Sequence, residues 1–245
     1  MRHNKKTSLV KWIPFFFTFG NAFFGLLSIM YALDGNVVPA AYCIFFAAVM
    51  DGFDGRLARI FGVSSLLGVE LDSLCDAISF CLAPAILLYS SFMHDGGITG
   101  IIVLAFYLCA SLFRLAKFNL EPEKQGQSFS GLPTTIGAFF LATLVLYHDR
   151  VLESPLRFLV KGKSIIAVVV FIAVLMISSL PFPAFKKVPV LFSRLAAKLT
   201  IGLALALFAL KQGIPLLFMV LVLYISAGIA TGIYLYSSNF LKSRK

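Results

Sequence analysis

The sequence predicts an all-α integral membrane protein, and three observations carry that prediction. Of the 245 residues, 60% are hydrophobic and only 13% are charged, and the mean hydropathy is +0.94. A soluble domain is about half apolar and roughly a quarter charged, so this chain lacks the charge to cover itself for water. The apolar residues also come in runs of about 20, the length a helix needs to cross a bilayer. The Lys and Arg residues fall mainly between those runs, where topology signals lie.

Eight candidate spans follow in order: Trp12–Ala32, Val38–Ile60, Leu71–Phe92, Ile98–Asn119, Leu132–Tyr147, Ser164–Leu180, Leu191–Leu210 and Pro215–Tyr236. The second and third carry their charges at the ends that face each other, and the fifth and sixth are the shortest. No soluble domain, internal repeat or low-complexity tract interrupts them. The basic segment Met1–Lys11 precedes a long apolar run without a small-residue cleavage site, which fits a retained first span rather than a signal peptide.

The net charge of +10 does not point to nucleic acid, because the cations form no stripe with interleaved aromatics. Their distribution fits anionic lipid head groups and membrane orientation. Arg2, Lys5, Lys6 and Lys11 place the N-terminus in the cytoplasm. Alternation then puts Arg56 and Arg59, Lys117 and Lys124, the Lys186–Lys198 stretch and the tail on that side of a cell (inner) membrane. Asp34–Asn36 and His94–Gly97 fall outside, free of Lys and Arg. One loop disagrees: His148–Lys163 should be outside yet carries Arg150, Arg157, Lys161 and Lys163. It is either an interfacial helix or a sign that the fifth and sixth spans are drawn wrongly. Cys43, Cys75, Cys81 and Cys109 lie in apolar runs without CxxC spacing, a pattern of small buried hydrophobes rather than disulfides or zinc ligands.

The chemistry concentrates in one stretch. It reads Asp51-Gly-Phe-Asp54-Gly55-Arg56-Leu-Ala58-Arg59, then eight residues, then Gly68-Val-Glu-Leu-Asp72-Ser-Leu-Cys-Asp76. On helices, Asp51 and Asp54 form an i,i+3 pair and Asp72 and Asp76 an i,i+4 pair, so each pair shares one face. A turn over Gly62–Gly68 makes the two helices antiparallel neighbours and lets the pairs meet at their cytoplasmic ends. A charge at bilayer depth costs about 2.5–3.5 kcal/mol, so four facing lipid would cost on the order of 10 kcal/mol. Clustered carboxylates also resist joint ionisation. Hard divalent cations, Mg²⁺ or Mn²⁺, remove both conflicts and suit carboxylate oxygens together with substrate phosphates. The pattern therefore implies a divalent metal site, with two ions or at least one over a diphosphate. Gly55 and Ala58, on the face of Asp51 and Asp54, leave a notch for a nucleotide, and Arg59 can pair with a phosphate or with the acids. The plain alternative is a hairpin of solvated acids with a small-residue packing seam, which does not account for the complete spacing.

These residues match DxxDGxxARx₈GxxxDxxxD at every specified position, and on them the chain resembles the CDP-alcohol phosphotransferase family. The resemblance implies a six-helix membrane core with about two extra C-terminal transmembrane helices, and a division into a catalytic membrane domain over 1–185 and an extension over 186–245. It implies that Asp51, Asp54, Asp72 and Asp76 hold the metal ions, with Asp76 as general base. It further implies that Gly55, Ala58, Arg59 and Gly68 contact CDP, and that antiparallel bundles of this kind form homodimers.

The flanking words resemble those of membrane-embedded bacterial and archaeal phosphatidylserine synthases within that family. They are Pro14-x₃-Thr18-x₂-Asn21-x₃-Gly25, Glu70–Phe80, Ala83-Pro84-Ala85, Arg114-Leu-Ala-Lys117-Phe-Asn119, Gly131-Leu-Pro133 and Pro181-Phe-Pro183. They cover roughly residues 12–185. Phe15 departs from the usual Asn after the first Pro, and Lys117 from the usual Arg. The substrates so implied are CDP-diacylglycerol and L-serine. Glycerol phosphate or an inositol phosphate would need extra cations, for which Lys117 and Lys124 are available, and ether-linked lipid donors fit equally. A cation transporter is the competing class, and it would set its acids at the bilayer midplane on discontinuous helices.

Outside the motif, Arg114 and Asn119 fall near the cytoplasmic end of the fourth span. An intramembrane Arg points to a functional site, here through a phosphate or a serine carboxylate, or else snorkels to the head groups. Thr18 and Asn21 share a face of the first helix, and Asn21 either binds nucleotide or makes interhelical hydrogen bonds. Ser79, three residues past Asp76, either lines the acceptor pocket or bonds within its own helix. His3, His94 and His148 fall in the tail or loops, and Pro39, Pro84 and Pro215 are expected to kink helices.

Overall fold

The computed structural model of the chain describes residues 12–63, 65–120, 128–148, 164–183 and 213–242. Helix α1 (Trp12–Leu33) buries Pro14, Thr18, Asn21, Gly25, Ser28 and Ala32, small and polar residues recurring every three or four positions along one stripe. Its bulky residues Phe16, Phe19, Phe23, Leu26 and Met30 are exposed. This inverts the pattern of a soluble helix. Lipid tails are as apolar as Phe or Leu, so membrane helices gain from close approach of small residues and from interhelical hydrogen bonds instead.

Helix α2 (Val37–Phe61) returns along α1. The turn between them closes on Gly35 N–H to Ala32 C=O at 3.1 Å and Asn36 N–H to Tyr31 C=O at 2.8 Å, with Gly35 at φ +76°, a conformation glycine adopts cheaply. Phe17 meets Phe53, Gly20 faces Met50 and Phe24 stacks on Phe46, an antiparallel register. Gly62, at φ 63°, ends α2. Helix α3 (Leu66–Asp76) then begins at Ser65, whose Oγ accepts from Gly68 N–H at 3.1 Å. The turn is therefore shorter than the expected Gly62–Gly68, because the cap draws Gly68 into the first turn of α3.

Past Asp76 the helix widens into a π segment (Ala77–Leu82), continues as α4 (Ala83–Leu88), and widens again over Tyr89–Met93. Pro84 explains the first widening. It has no N–H for the Phe80 carbonyl, and its ring would crowd that carbonyl in an α register. The i−5 bond from Ala83 N–H to Ile78 C=O opens the turn, and the Tyr107 hydroxyl donates to the Phe80 carbonyl at 3.3 Å. Pro84 thus changes the helix type rather than only kinking it. A short 3-10 turn (His94–Gly96) and Gly97, at φ 55°, lead into α5 (Gly97–Leu120). Gly100 lies against Met93 and Tyr107 against Phe80, so α5 runs antiparallel to the segment before it.

The stretches Trp12–Leu33, Val37–Phe61 and Leu66–Leu120 are long and apolar enough to cross a membrane, and the 55 residues of the last fold back to supply two of the expected spans. Residues Met1–Leu115 form one compact unit and Ala116–Lys245 a second.

The second unit contains α6 (Thr134–Leu146), α7 (Ser164–Ile177) and α8 (Gly213–Lys242), with three-residue strands β1 (Ser128–Ser130) and β2 (Pro181–Pro183) that the sequence does not predict. β1 pairs antiparallel with β2, setting Phe129 opposite Phe182. Gly131 N–H donates to Leu180 C=O at 2.8 Å and Leu132 N–H to Leu175 C=O at 3.0 Å. Gly131 is at φ +85°, and a Cβ there would meet the Met176 carbonyl at 2.5 Å. The words around Gly131 and Phe182 are thus one joint of the backbone. Gly228 of α8 packs on the buried Phe182 ring, and Phe140 stacks on Phe218 at 5.4 Å. Helices α6 and α7, with 13 and 14 residues, reach about 20 Å at 1.5 Å per residue, short of a hydrocarbon core of about 30 Å.

Seven of the eight expected spans are helical among the described residues. The seventh, Leu191–Leu210, and the basic stretch 149–163 lie outside them. Cys43, Cys75 and Cys81 are buried as expected, whereas Cys109 is exposed.

The closest approach of α1 to the π segment gives a test. A Cβ on Gly25 would come within 3.0 Å of the Ser79 Cα. Gly25→Ala is expected to destabilise the fold by about 1–3 kcal/mol, the usual range for overpacking, read as a lower melting temperature in detergent. An unchanged melt refutes the close packing.

Candidate active site

Four aspartates come from two helices that both adjoin α1. Asp51 and Asp54 sit where the apolar run of α2 ends, on an unbroken helix. Asp72 and Asp76 lie one turn apart at the end of α3. Oxygens of Asp51, Asp72 and Asp76 all lie within 4.8 Å of one another, and the three residues are half-buried. Asp54 is set slightly apart: only 4% exposed, its carboxyl group lies against Asp72 and near the Thr18 hydroxyl. Thr18 itself donates to the Pro14 carbonyl at 3.1 Å.

At such separations, each pair of unit charges repels by about 3 kcal/mol at an effective dielectric near 20. No cation of the protein closes an ion pair with these acids among the described residues. Asp54 Oδ2 and Asp72 Oδ1 are buried without a hydrogen-bond partner among the described residues. Hard oxygen donors, converging and partly unsatisfied, suit a divalent cation, so the donor set fits the metal that the sequence implies.

Gly55 faces open space, as does Gly52, which the sequence reading passed over: a Cβ on either would meet nothing within 4 Å. Neither has a positive φ among the described glycines, and glycine inside a helix costs about 1 kcal/mol relative to alanine. Neither packing nor backbone conformation therefore requires these two glycines. What they do is leave the surface beside Asp51 and Asp54 bare. The signal was present in the sequence as two glycines within four residues of a helix. Ala58 is half-buried on the same helix, and the Arg59 Nε donates to the Gly55 carbonyl at 2.8 Å, laying the guanidinium along the notch. Gly68 has a local structural role in the cap of α3, where its N–H is held by Ser65.

The sequence leaves two readings open for Asn21. It is fully buried, and its Nδ2 donates to Asp76 Oδ1 at 2.8 Å. Of the two readings, nucleotide contact or interhelical bond, the geometry makes the second. Ser79, also fully buried, bonds neither an open pocket nor its own helix; its hydroxyl donates to the Asn21 carbonyl at 2.9 Å. Arg114 is buried at 4% exposure on α5. Ser111, one turn earlier on the same helix, lies beside Cys81. Lys117 is half-buried and Asn119 exposed on the last turns of α5, in the second compact unit.

The model of the CDP-alcohol phosphatidyltransferase family matches residues 11–180. The chain belongs to that family. Among its relatives, CDP-diacylglycerol–serine O-phosphatidyltransferase of Helicobacter pylori (strain ATCC 700392 / 26695) is 34% identical over 178 residues, 71% of this chain and 73% of that one. The enzyme of that name from Bacillus subtilis (strain 168) is 33% identical over 178 residues, covering 73% and 93%. Archaetidylserine synthase of Methanothermobacter thermautotrophicus is 30% identical over 187 residues, covering 75% and 74%.

For a CDP-alcohol phosphatidyltransferase, the bare notch makes a two-sided prediction. Gly55→Leu improves helix propensity and fills the notch. The variant should melt no lower than the parent while binding CDP about 10-fold or more weakly, a loss of about 1.4 kcal/mol. Calorimetric CDP binding at the parental affinity would remove Gly55 from the nucleotide site.

Proposed function

We propose that this chain transfers the phosphatidyl group of CDP-diacylglycerol to the hydroxyl of L-serine, releasing CMP and leaving phosphatidylserine in the membrane. The convergence of the Asp51, Asp72 and Asp76 carboxylates beside the open Gly55 notch carries the chemistry. The relatives' names support the acceptor, since serine recurs in the bacterial and archaeal names alike. They differ in the lipid, and an ether-linked donor would meet the same acids and the same notch.

Bound divalent cations, Mg²⁺ or Mn²⁺ and two in number on this reading, would be held by Asp51, Asp54, Asp72 and Asp76 and would neutralise the diphosphate. The protein supplies the rest. Gly55 and Ala58 leave room for the nucleotide, with Gly68 at the start of the facing helix. Arg59 offers its guanidinium to a phosphate. The Asp76 carboxylate accepts the proton of the serine hydroxyl. The serine oxygen bonds to the lipid-bearing phosphorus as the bond to the CMP oxygen breaks, and CMP departs with the electron pair. Positioning and charge stabilisation suffice for such a transfer, so no covalent enzyme intermediate is invoked. Arg114, buried on α5, offers its guanidinium to the acceptor. The catalytic domain is 1–185 with an extension over 186–245. The site faces the cytoplasm from a cell (inner) membrane, and the working form is a homodimer.

The test offers purified protein CDP-diacylglycerol with Mn²⁺ or Mg²⁺ and one alcohol at a time, and measures CMP release. Serine should give the fastest release, and Asp76→Asn should lower kcat by about 10²–10⁴-fold, the usual contribution of a general base. Faster release with glycerol phosphate or inositol phosphate reassigns the acceptor. Full activity in Asp76→Asn removes the base assignment, and cation uptake by donor-free proteoliposomes would favour a transporter.

A further inference from the structure

Among the four acids, Asp76 is tied to α1 by an amide. Asn21 Nδ2 donates to Asp76 Oδ1 at 2.8 Å, and the main-chain carbonyl of Asn21 receives the Ser79 hydroxyl at 2.9 Å. Ser79 stands three residues after Asp76, inside the π segment, so the two bonds close a ring between α1 and the turn that carries Asp76. Gly25 makes the ring possible, because a side chain there would occupy the place of Ser79.

We propose that Asn21 is a positioning residue for Asp76, with Ser79 locking it in place. A carboxylate offers about four lone-pair sites on two oxygens. The amide commits Oδ1 and thereby fixes the carboxylate plane, leaving Oδ2 directed to the reaction. The donor is neutral, so it orients Asp76 without adding to or cancelling the charge of the cluster. Turning the amide over would set its oxygen against Asp76 Oδ1, acceptor against acceptor. Asn21 Oδ1, buried without a partner among the described residues, shows which half of the amide the site uses. Thr18, on the same stripe of α1, bonds back to its own helix, so the stripe does not by itself dictate such a bond. Asn21 is also 0% exposed and has no surface to offer a nucleotide. The inference rests on the proposed role of Asp76 and deepens it: Asn21 governs turnover and metal retention, and leaves donor affinity alone.

The experiment uses Asn21→Leu, of similar size without the donor, the isosteric Asn21→Asp, and Ser79→Ala. It reads Mn²⁺ binding by electron paramagnetic resonance on donor-free protein, CDP binding by calorimetry at saturating Mn²⁺, melting temperature, and kcat with KM for CDP-diacylglycerol. Groups that hold metal-ligating carboxylates typically contribute 10–100-fold to metal affinity or activity. Asn21→Leu and Asn21→Asp are therefore expected to bind Mn²⁺ about 10-fold or more weakly and to lose about 10–100-fold in kcat. CDP affinity and KM should stay at their parental values, and Ser79→Ala should shift the same quantities by less. A raised KM with parental kcat would make Asn21 a nucleotide contact and overturn the proposal. So would unchanged Mn²⁺ affinity and kcat in the variants that fold. If Asn21→Leu fails to fold, Asn21→Asp and Ser79→Ala decide. If the parent releases no CMP with any alcohol, the proposed reaction falls, while the Mn²⁺ titrations still decide whether Asn21 holds Asp76.

Discussion

Helices in lipid gain little by burying large apolar side chains against one another, and this first unit is organised by that constraint. Close approach and interhelical hydrogen bonds must do what hydrophobic burial does in water. Helix α1 answers with a stripe of Pro14, Thr18, Asn21, Gly25, Ser28 and Ala32, on which α2, α3 and the π segment pack. The tightest point is Gly25 against Ser79. From that approach follows the Ser79 bond to Asn21, from Asn21 the bond to Asp76, and from Asp76 the third corner of the acid cluster. The seam that joins the helices and the scaffold of the site are the same residues.

The acids oppose that order. Three carboxylates with oxygens inside 4.8 Å of one another repel, and a fourth, Asp54, is buried beside them. Gly52 and Gly55 add helix-weakening residues in the same two turns, with no packing contact in return. Local rules of stability are broken together at one place, which is where function is expected to override them. On the proposed reading, cations and a diphosphate would supply the missing charges, and a nucleotide would fill the bare notch. Each destabilising feature would then be the complement of one part of a single ligand set.

Much of this was legible in the sequence because its signals are local. Hydropathy located α1, α2 and α5 to within about a residue at each end, and the aspartate spacing located the cluster. What escaped was relational. Spacing put Asn21 on a face of α1 but could not name its partner, because that depends on the depth at which α1 meets the helix of Asp76. Pro84 announced a disturbance, but not that a π turn would absorb it while the Tyr107 hydroxyl took up the Phe80 carbonyl. Gly68 matches a motif position that implies a ligand contact, whereas in space its N–H also completes the Ser65 cap. The strands β1 and β2, three residues each, are too short to show a period.

The π turn links the two ends of the proposed chemistry. On the proposed reading the acids and the notch meet what every CDP-activated donor shares, and so would not discriminate among alcohols. Discrimination needs a group that meets the part of the acceptor beyond its hydroxyl, and a buried guanidinium on α5 is well shaped for a carboxylate or a phosphate. Arg114 stands on a helix that is tied to the segment following Asp76. Tyr107 is bonded to Phe80, Ser111 sits beside Cys81, and Arg114 comes one turn further on. Had another residue stood at 84, its N–H could have taken the Phe80 carbonyl within the helix, and that carbonyl would not need the Tyr107 hydroxyl. On the proposed reading, the proline that disturbs the helix thereby ties α5, which carries the guanidinium, to the segment that carries the proposed base.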